Sequence, residues 1–157
     1  MKKLVSLLVA AILVFGIVAP VFAGGGAEED GLVIGLSLPA QREARWVRDG
    51  DTMIAYAEEL GVDLRVQFAD ANTAEQIAQV ENLFAQGIDV LVLAPHDAAA
   101  SASLVDQAEE EGIPVISYDR LITNTPNLDV YLSFDNVEVG RIQGRYFVDN
   151  VPAGSNI

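Results

Sequence analysis

The sequence predicts an open, mostly parallel α/β sheet, doubly wound with helices on both faces. Two observations predict it. From Leu32 onward, short apolar runs alternate with longer segments of helical periodicity, the pattern of repeated βαβ units. The runs are close to continuously apolar, as strands covered on both faces must be. Right-handed crossovers then link each parallel pair.

The elements follow in order. Residues 32–38 (Leu-Val-Ile-Gly-Leu-Ser-Leu) read as a buried strand. A helix is predicted over 46–60, with Val47, Gly50, Ile54 and Ala57 on its inner face and Gly61 as its stop. Residues 63–68 alternate and read as a second strand. Thr73 with Gln76 suggests a capping box opening a helix whose stripe is Ile77, Val80 and Phe84, ended by Gly87. The unit then repeats: a strand over 88–93, a helix over 98–110 capped by Asp97 and stopped by Gly112, and strands over 114–118 and 129–134. Asp135 or Asn136 caps a last helix running to about Asn150, and residues 151–154 form a turn.

Before these elements stands a segment of another kind. Met1-Lys2-Lys3 is basic, residues 4–23 are apolar apart from Ser6, Gly16 and Pro20, and Val21-Phe22-Ala23 offers an A-x-A-like site. This is the layout of a secretory signal peptide over residues 1–23. An uncleaved anchor is the alternative, since about 20 apolar residues span a bilayer. Pro20 favours cleavage by presenting an extended segment to the peptidase. Residues 24–31 are a glycine-rich, acidic linker. With no Cys to lipidate, the expectation is a soluble protein kept in the periplasm by an outer membrane.

Composition excludes several function classes. The 157 residues carry a net charge of −14; without the leader, the nine cations fall to seven, all Arg, and the net charge to −16. So acidic a surface gives no electrostatic route to nucleic acid or anionic lipid. Zero Cys rules out disulfides, thiolate catalysis and thiolate zinc sites, and a single His rules out a two-His metal site. No metal and no cofactor is expected.

In an open parallel sheet, ligands bind beyond the carboxyl ends of the strands, at the topological switch point. The loops 39–45, 94–97 and 119–127 and the segment from 135 are therefore the places to look. The first holds the only Trp, Trp46, beside Arg42, Arg45 and Arg48, and lacks the glycines of a phosphate cradle. An indole face suits the C–H-rich face of a pyranose, and a guanidinium supplies fixed donors to its hydroxyls. Equally, Trp46 reads as a core residue at a helix start, with the arginines solvated. Asp119-Arg120 pairs an acceptor for adjacent hydroxyls with a donor, and side by side they offset each other's charge in a dry cleft. A surface pair or helix cap is the plain alternative. His96 reads as a rim residue, since no nucleophile elbow accompanies it.

These loops resemble one family. Ala44-Arg45-Trp46, Gln79-Val80-Glu81-Asn82, residues 87–93, Glu111-Gly112-Ile113-Pro114-Val115, Tyr118-Asp119-Arg120 and Ser133-Phe134-Asp135-Asn136 are similar to the periplasmic sugar-binding proteins of ABC transporters. Within that family the likeness is to the D-xylose-binding and multiple-sugar-binding branch. The resemblance implies two α/β lobes that close about a hinge on a monosaccharide such as xylose and deliver it to an inner-membrane ABC permease. It assigns residues 32–134 to the first lobe and 135–157 to the hinge crossover and the start of a truncated second lobe. It places Arg45 and Trp46 where the family bonds and stacks the sugar, and Asp119 and Arg120 at its hydroxyl-binding pair. Asp135 and Asn136 fall at the hinge, and Arg42, His96 and Asp97 remain weaker ligand or rim candidates.

The same resemblance implies a monomer that catalyses nothing. It further implies that the opposing wall and the segment completing the first lobe lie outside these residues, so that the chain alone closes on sugar weakly or not at all. Sensing for a chemoreceptor or sensor kinase without transport, and a non-functional fragment, are the alternatives. A receiver domain would need paired acids where Pro39-Ala40-Gln41 stands, and a repressor's effector domain a basic helix-turn-helix where the leader stands.

Overall fold

Each strand expected between residues 32 and 134 is present in the computed structural model, which describes residues 31–156. The strands are β1 (Val33–Leu38), β2 (Asp63–Phe68), β3 (Val90–Leu93), β4 (Val115–Tyr118) and β5 (Val130–Leu132). All pair in parallel, in the order β2-β1-β3-β4-β5. The chain winds outward from β1 to β2, then crosses back past β1 to β3, so the switch point lies between β1 and β3. The predicted leader and linker up to residue 30 lie outside the described residues.

The helices are α1 (Ala44–Leu60), α2 (Thr73–Ala85), α3 (Ala102–Glu111) and α4 (Asn136–Asn150). Among the described residues no helix is long and apolar enough to cross a membrane. Side chains alternate across the sheet and build two cores. On one face Leu91, Leu93 and Val115 pack under Val80, Leu83 and Phe84 of α2 and Leu104, Val105 and Ala108 of α3. On the other, Leu36, Leu38, Leu64, Val66 and Phe68 pack against Trp46 and Met53 of α1. Gly50 lets α1 lie close on the sheet: a Cβ there would meet Phe68 Cζ at 3.1 Å and Leu38 Cδ1 at 3.3 Å.

Three local expectations are corrected. The inner stripe of α1 is Trp46, Gly50, Met53 and Ala57, and Ile54 turns toward solvent, because the wide Trp46 rotates the contact face by one position. α2 is capped by Asn72, whose side chain accepts the Glu75 N–H at 3.2 Å, and not by Thr73 with Gln76. Asp97 caps a turn over 98–101 rather than a helix, accepting the N–H groups of Ala99 and Ala100 at 2.9 and 2.8 Å; α3 begins only at Ala102. The predicted cap of α4 is present, with Asp135 accepting the Glu138 N–H at 2.9 Å.

The cover of the two faces is unequal. Two helices lie over one and α1 alone over the other, where Val130 and Leu132 of β5 stay exposed. α4 buries none of its residues, although Val139, Ile142 and Tyr146 recur at helical spacing on it.

Candidate functional site

The carboxyl end of β4 runs into a strained turn. Arg120 N–H donates to the Tyr118 carbonyl at 2.7 Å across Asp119, whose φ of +62° lies in the left-handed region. A γ-turn with positive φ is the rare and strained form, and such strain persists only where the surroundings over-determine it. Here they do. Asp119 N–H donates to the Leu132 carbonyl at 2.8 Å, and the Asp119 carbonyl accepts from Tyr131 Oη at 3.2 Å and Ser133 Oγ at 3.0 Å. Buried Ser117 donates to the Arg120 carbonyl at 2.6 Å and accepts the Ile122 N–H at 3.0 Å.

That turn aims the Asp119 carboxylate at the start of α1. Arg45 Nη2 donates to Asp119 Oδ1 at 2.6 Å, a contact between residues 74 apart in sequence. The bond holds the Arg45 guanidinium further above its already high ordinary pKa. Asp119 Oδ2 has no hydrogen-bond partner among the described residues, and the Asp119 side chain is 13% exposed. It is thus an accessible acceptor beside a charged donor. Nearby, Tyr118 Oη donates to Asp49 at 3.1 Å; burial, and then the Asp49 charge, push the phenol above its usual range.

Arg120 completes the group. Its Nη1 donates to the Pro95 carbonyl at 3.2 Å, and its guanidinium lies 5.2 Å from the Trp46 ring centre. Arg45 lies over the same ring at 4.1 Å. The four residues singled out from the sequence, Arg45, Trp46, Asp119 and Arg120, therefore meet at the strand ends. The predicted open indole face does not: Trp46 is 0% exposed. Its Nε1–H is drawn onto Glu43 Oε2 at 3.0 Å, the ring fills the gap between α1 and the strand ends, and Arg45 stands on it. That face opens only when Arg45 swings away, which its half-exposed side chain permits.

The weaker candidates separate from this group. Arg42 faces Asp70 at 3.7 Å with both side chains largely in solvent. With Arg48, Gln41, Val47 and Asp51 it lines an open depression of about 460 Å³ that includes none of the four clustered residues. Asp97 is occupied by its turn, and the Ala100 and Ala99 N–H groups hold its carboxyl below the usual range. The His96 side chain is exposed at the rim, while its N–H donates inward to Gln76 Oε1 at 2.7 Å. Asp135 is occupied in capping, and Asn136 Nδ2 reaches Ser133 Oγ at 3.4 Å.

Sequence reading passed over Glu43, Ser117 and Tyr131, took Gln76 for part of a cap, and gave Ser133 no role of its own. Their roles depend on long-range pairing that local pattern does not encode, although a Gln on the apolar stripe of α2 was a visible signal.

Comparison with known proteins bears on the family and the fold. The sequence model of the periplasmic binding protein domain matches residues 34–157. The D-xylose-binding periplasmic protein of Escherichia coli (strain K12) is 41% identical over 122 residues, 78% of this chain and 37% of that protein. The multiple sugar-binding periplasmic receptor ChvE of Rhizobium radiobacter is 37% identical over 152 residues, 96% of this chain and 42% of that protein. A solved carbohydrate transporter solute binding protein from Chloroflexus aurantiacus, in complex with D-glucose, superposes with a TM-score of 0.75 at 36% identity, covering 80% of this chain and 37% of that one. The chain thus spans about two fifths of the length of these relatives. They are binding proteins and a receptor, in agreement with the expectation that the chain is not an enzyme.

Proposed function

This chain belongs to the periplasmic binding protein family, and on that premise we propose that it forms the first lobe of the substrate-binding component of an ABC-type sugar importer. The observation that carries the reading is the Arg45–Asp119 contact of 2.6 Å, with Arg120 beside it on the same indole. It sets a carboxylate acceptor against one guanidinium donor, with a second guanidinium on the same indole, at the mouth of a parallel sheet. Such a group suits a neutral polyol: vicinal hydroxyls donate to the carboxylate and accept from the guanidiniums in charge-assisted bonds. The Arg45 and Asp119 charges compensate one another, which is what a cleft closed against water requires.

In this reading Arg45 and Arg120 donate to ring and rim oxygens, and Asp119 Oδ2 accepts from a hydroxyl. The Arg45 guanidinium keeps the place on Trp46 that the apolar face of the sugar takes on binding. Asp135 and Asn136 form the hinge, and α4 opens the second lobe, whose packing covers its exposed Val139, Ile142 and Tyr146. The ligand is xylose or a similar aldose, the partner an inner-membrane ABC permease, and the site of action the periplasm, reached through the cleavable leader. A chemoreceptor or sensor kinase as the partner is the second reading, favoured by one relative being named a receptor.

Calorimetric titration of the chain with xylose, glucose, arabinose and galactose tests the proposal. Weak, saturable binding of at least one aldose, abolished in Arg45→Ala, is expected. Absence of binding to any of them at millimolar sugar contradicts it, and tight binding would contradict the need for a second wall.

A further inference from the structure

We infer that Gln76 is a positioning residue for the strand-end site: its buried amide fixes the Pro95–His96 peptide and thereby aims the carbonyl that holds Arg120. The inference rests on the sugar-site reading above for its functional consequence, and on hydrogen bonds for its structural one.

Gln76 projects from α2 into the core and is 1% exposed. Its Nε2 donates to Ser37 Oγ at 3.1 Å and to the Ala94 carbonyl at 3.0 Å, and its Oε1 accepts the His96 N–H at 2.7 Å. One side chain thus ties the end of β1 to the loop after β3, across the switch point, and uses both of its donors in doing so. A buried amide in an apolar core is costly unless it is bonded in this way.

The geometry of the peptide unit carries the effect onward. His96 N–H and Pro95 C=O belong to one planar group and point in opposite directions. With the N–H held toward α2 on one face of the sheet, the carbonyl points to the other face, where α1 and Trp46 lie. There it accepts Arg120 Nη1 at 3.2 Å, and the guanidinium rests on the Trp46 ring. Gln76 touches no ligand itself; it sets the acceptor that Arg120 leans on.

The test uses the ¹⁵N-labelled full chain and reads the Arg120 Nε–H and Trp46 indole N–H resonances, with D-xylose as the titrant. Gln76→Glu keeps the size and the His96 acceptor and loses the amide donors. Ile88→Ala, just before β3 at the opposite, amino ends of the strands, is a destabilising core control. Ser37→Ala is a milder variant that removes a single partner of the amide.

Gln76→Glu is expected to shift both resonances and weaken D-xylose binding about tenfold, the scale of one charge-assisted contact. Ser37→Ala should give a smaller shift in the same direction, and Ile88→Ala should lower the melting temperature with neither effect. Burial raises the pKa of a carboxyl, so lowering the pH restores an O–H donor to Ala94 and moves the Gln76→Glu resonances back toward wild type. Unmoved resonances in Gln76→Glu and Ser37→Ala, or an equal shift in Ile88→Ala, overturn the inference. If wild type ignores D-xylose while Gln76→Glu still displaces Arg120, the sugar reading fails and the positioning role stands.

Discussion

Replacing Asp119 by Asn separates what the strand-end group does for binding from what it does for folding. Asn tolerates the left-handed conformation at this position better than other side chains do, so the turn with φ of +62° survives the change. The amide oxygen still accepts from Arg45, and only the charge is lost. The ion pair it replaces is partly solvated, with the Arg45 and Asp119 side chains 45% and 13% exposed. Pairs of this kind contribute about 0–1 kcal/mol, so the melting temperature should fall by no more than about 2–4 °C for a domain of this size.

The effect on binding is larger. A hydrogen bond to a charged group is worth about 1 kcal/mol more than a neutral one, and the carboxylate has room for one or two hydroxyls. The loss is about 1–2 kcal/mol, roughly five- to 30-fold in Kd. Trp46, the only Trp, reports the titration by its fluorescence, and a thermal melt on the same samples gives the stability. An unchanged Kd, or a melting temperature that falls by far more than the ion pair allows, would refute the assignment of Asp119 as a hydroxyl acceptor.

Two further outcomes follow from the same structure. Trp46→Ala removes a fully buried side chain and the surface on which two guanidiniums rest, and should cost about 3–5 kcal/mol in urea unfolding; a loss below 1 kcal/mol would show that the ring is not packed as described. Asp97 is held below the usual aspartate range by the Ala100 and Ala99 N–H groups, so its contribution is present above that range and is lost as the pH falls through its lowered pKa. The stability difference between wild type and Asp97→Ala should therefore be constant near neutrality and shrink in acid, and a gap that widens on acidification would contradict the capping role.

Much of the fold was legible because its signals are local. Apolar runs and helix-stop glycines located every strand, and Gly61 and Gly112 end their helices with φ of +69° and +73°. Where the reading slipped, a tertiary contact had overruled a local one: Gln76 looked like half of a capping box and is instead spent on Ser37, Ala94 and His96. Likewise Asp97 was visible as a cap, but not the turn it closes before α3. The strand-end rule says which loops to examine, and the family resemblance singled out the four clustered side chains within them. Their arrangement could not be read, since the enclosure of Trp46 depends on Glu43, Arg45 and Arg120 arriving from two loops. Tyr131, which holds the Asp119 carbonyl, carries no local pattern, and Ser133 stands in a family-like segment that says nothing of the carbonyl it holds.

The central claim is that Arg45, Trp46, Asp119 and Arg120 form one wall of a sugar site. The most direct measurement is a map of NMR shifts over the ¹⁵N-labelled chain, with arginine side chains observed, as D-xylose is titrated in. Saturable shifts confined to these four residues and the turn around Asp119, with the Trp46 indole responding as Arg45 leaves it, are the predicted result. Shifts centred instead on the Arg42–Arg48 depression, or no saturable shift at the strand ends with any aldose, would contradict it.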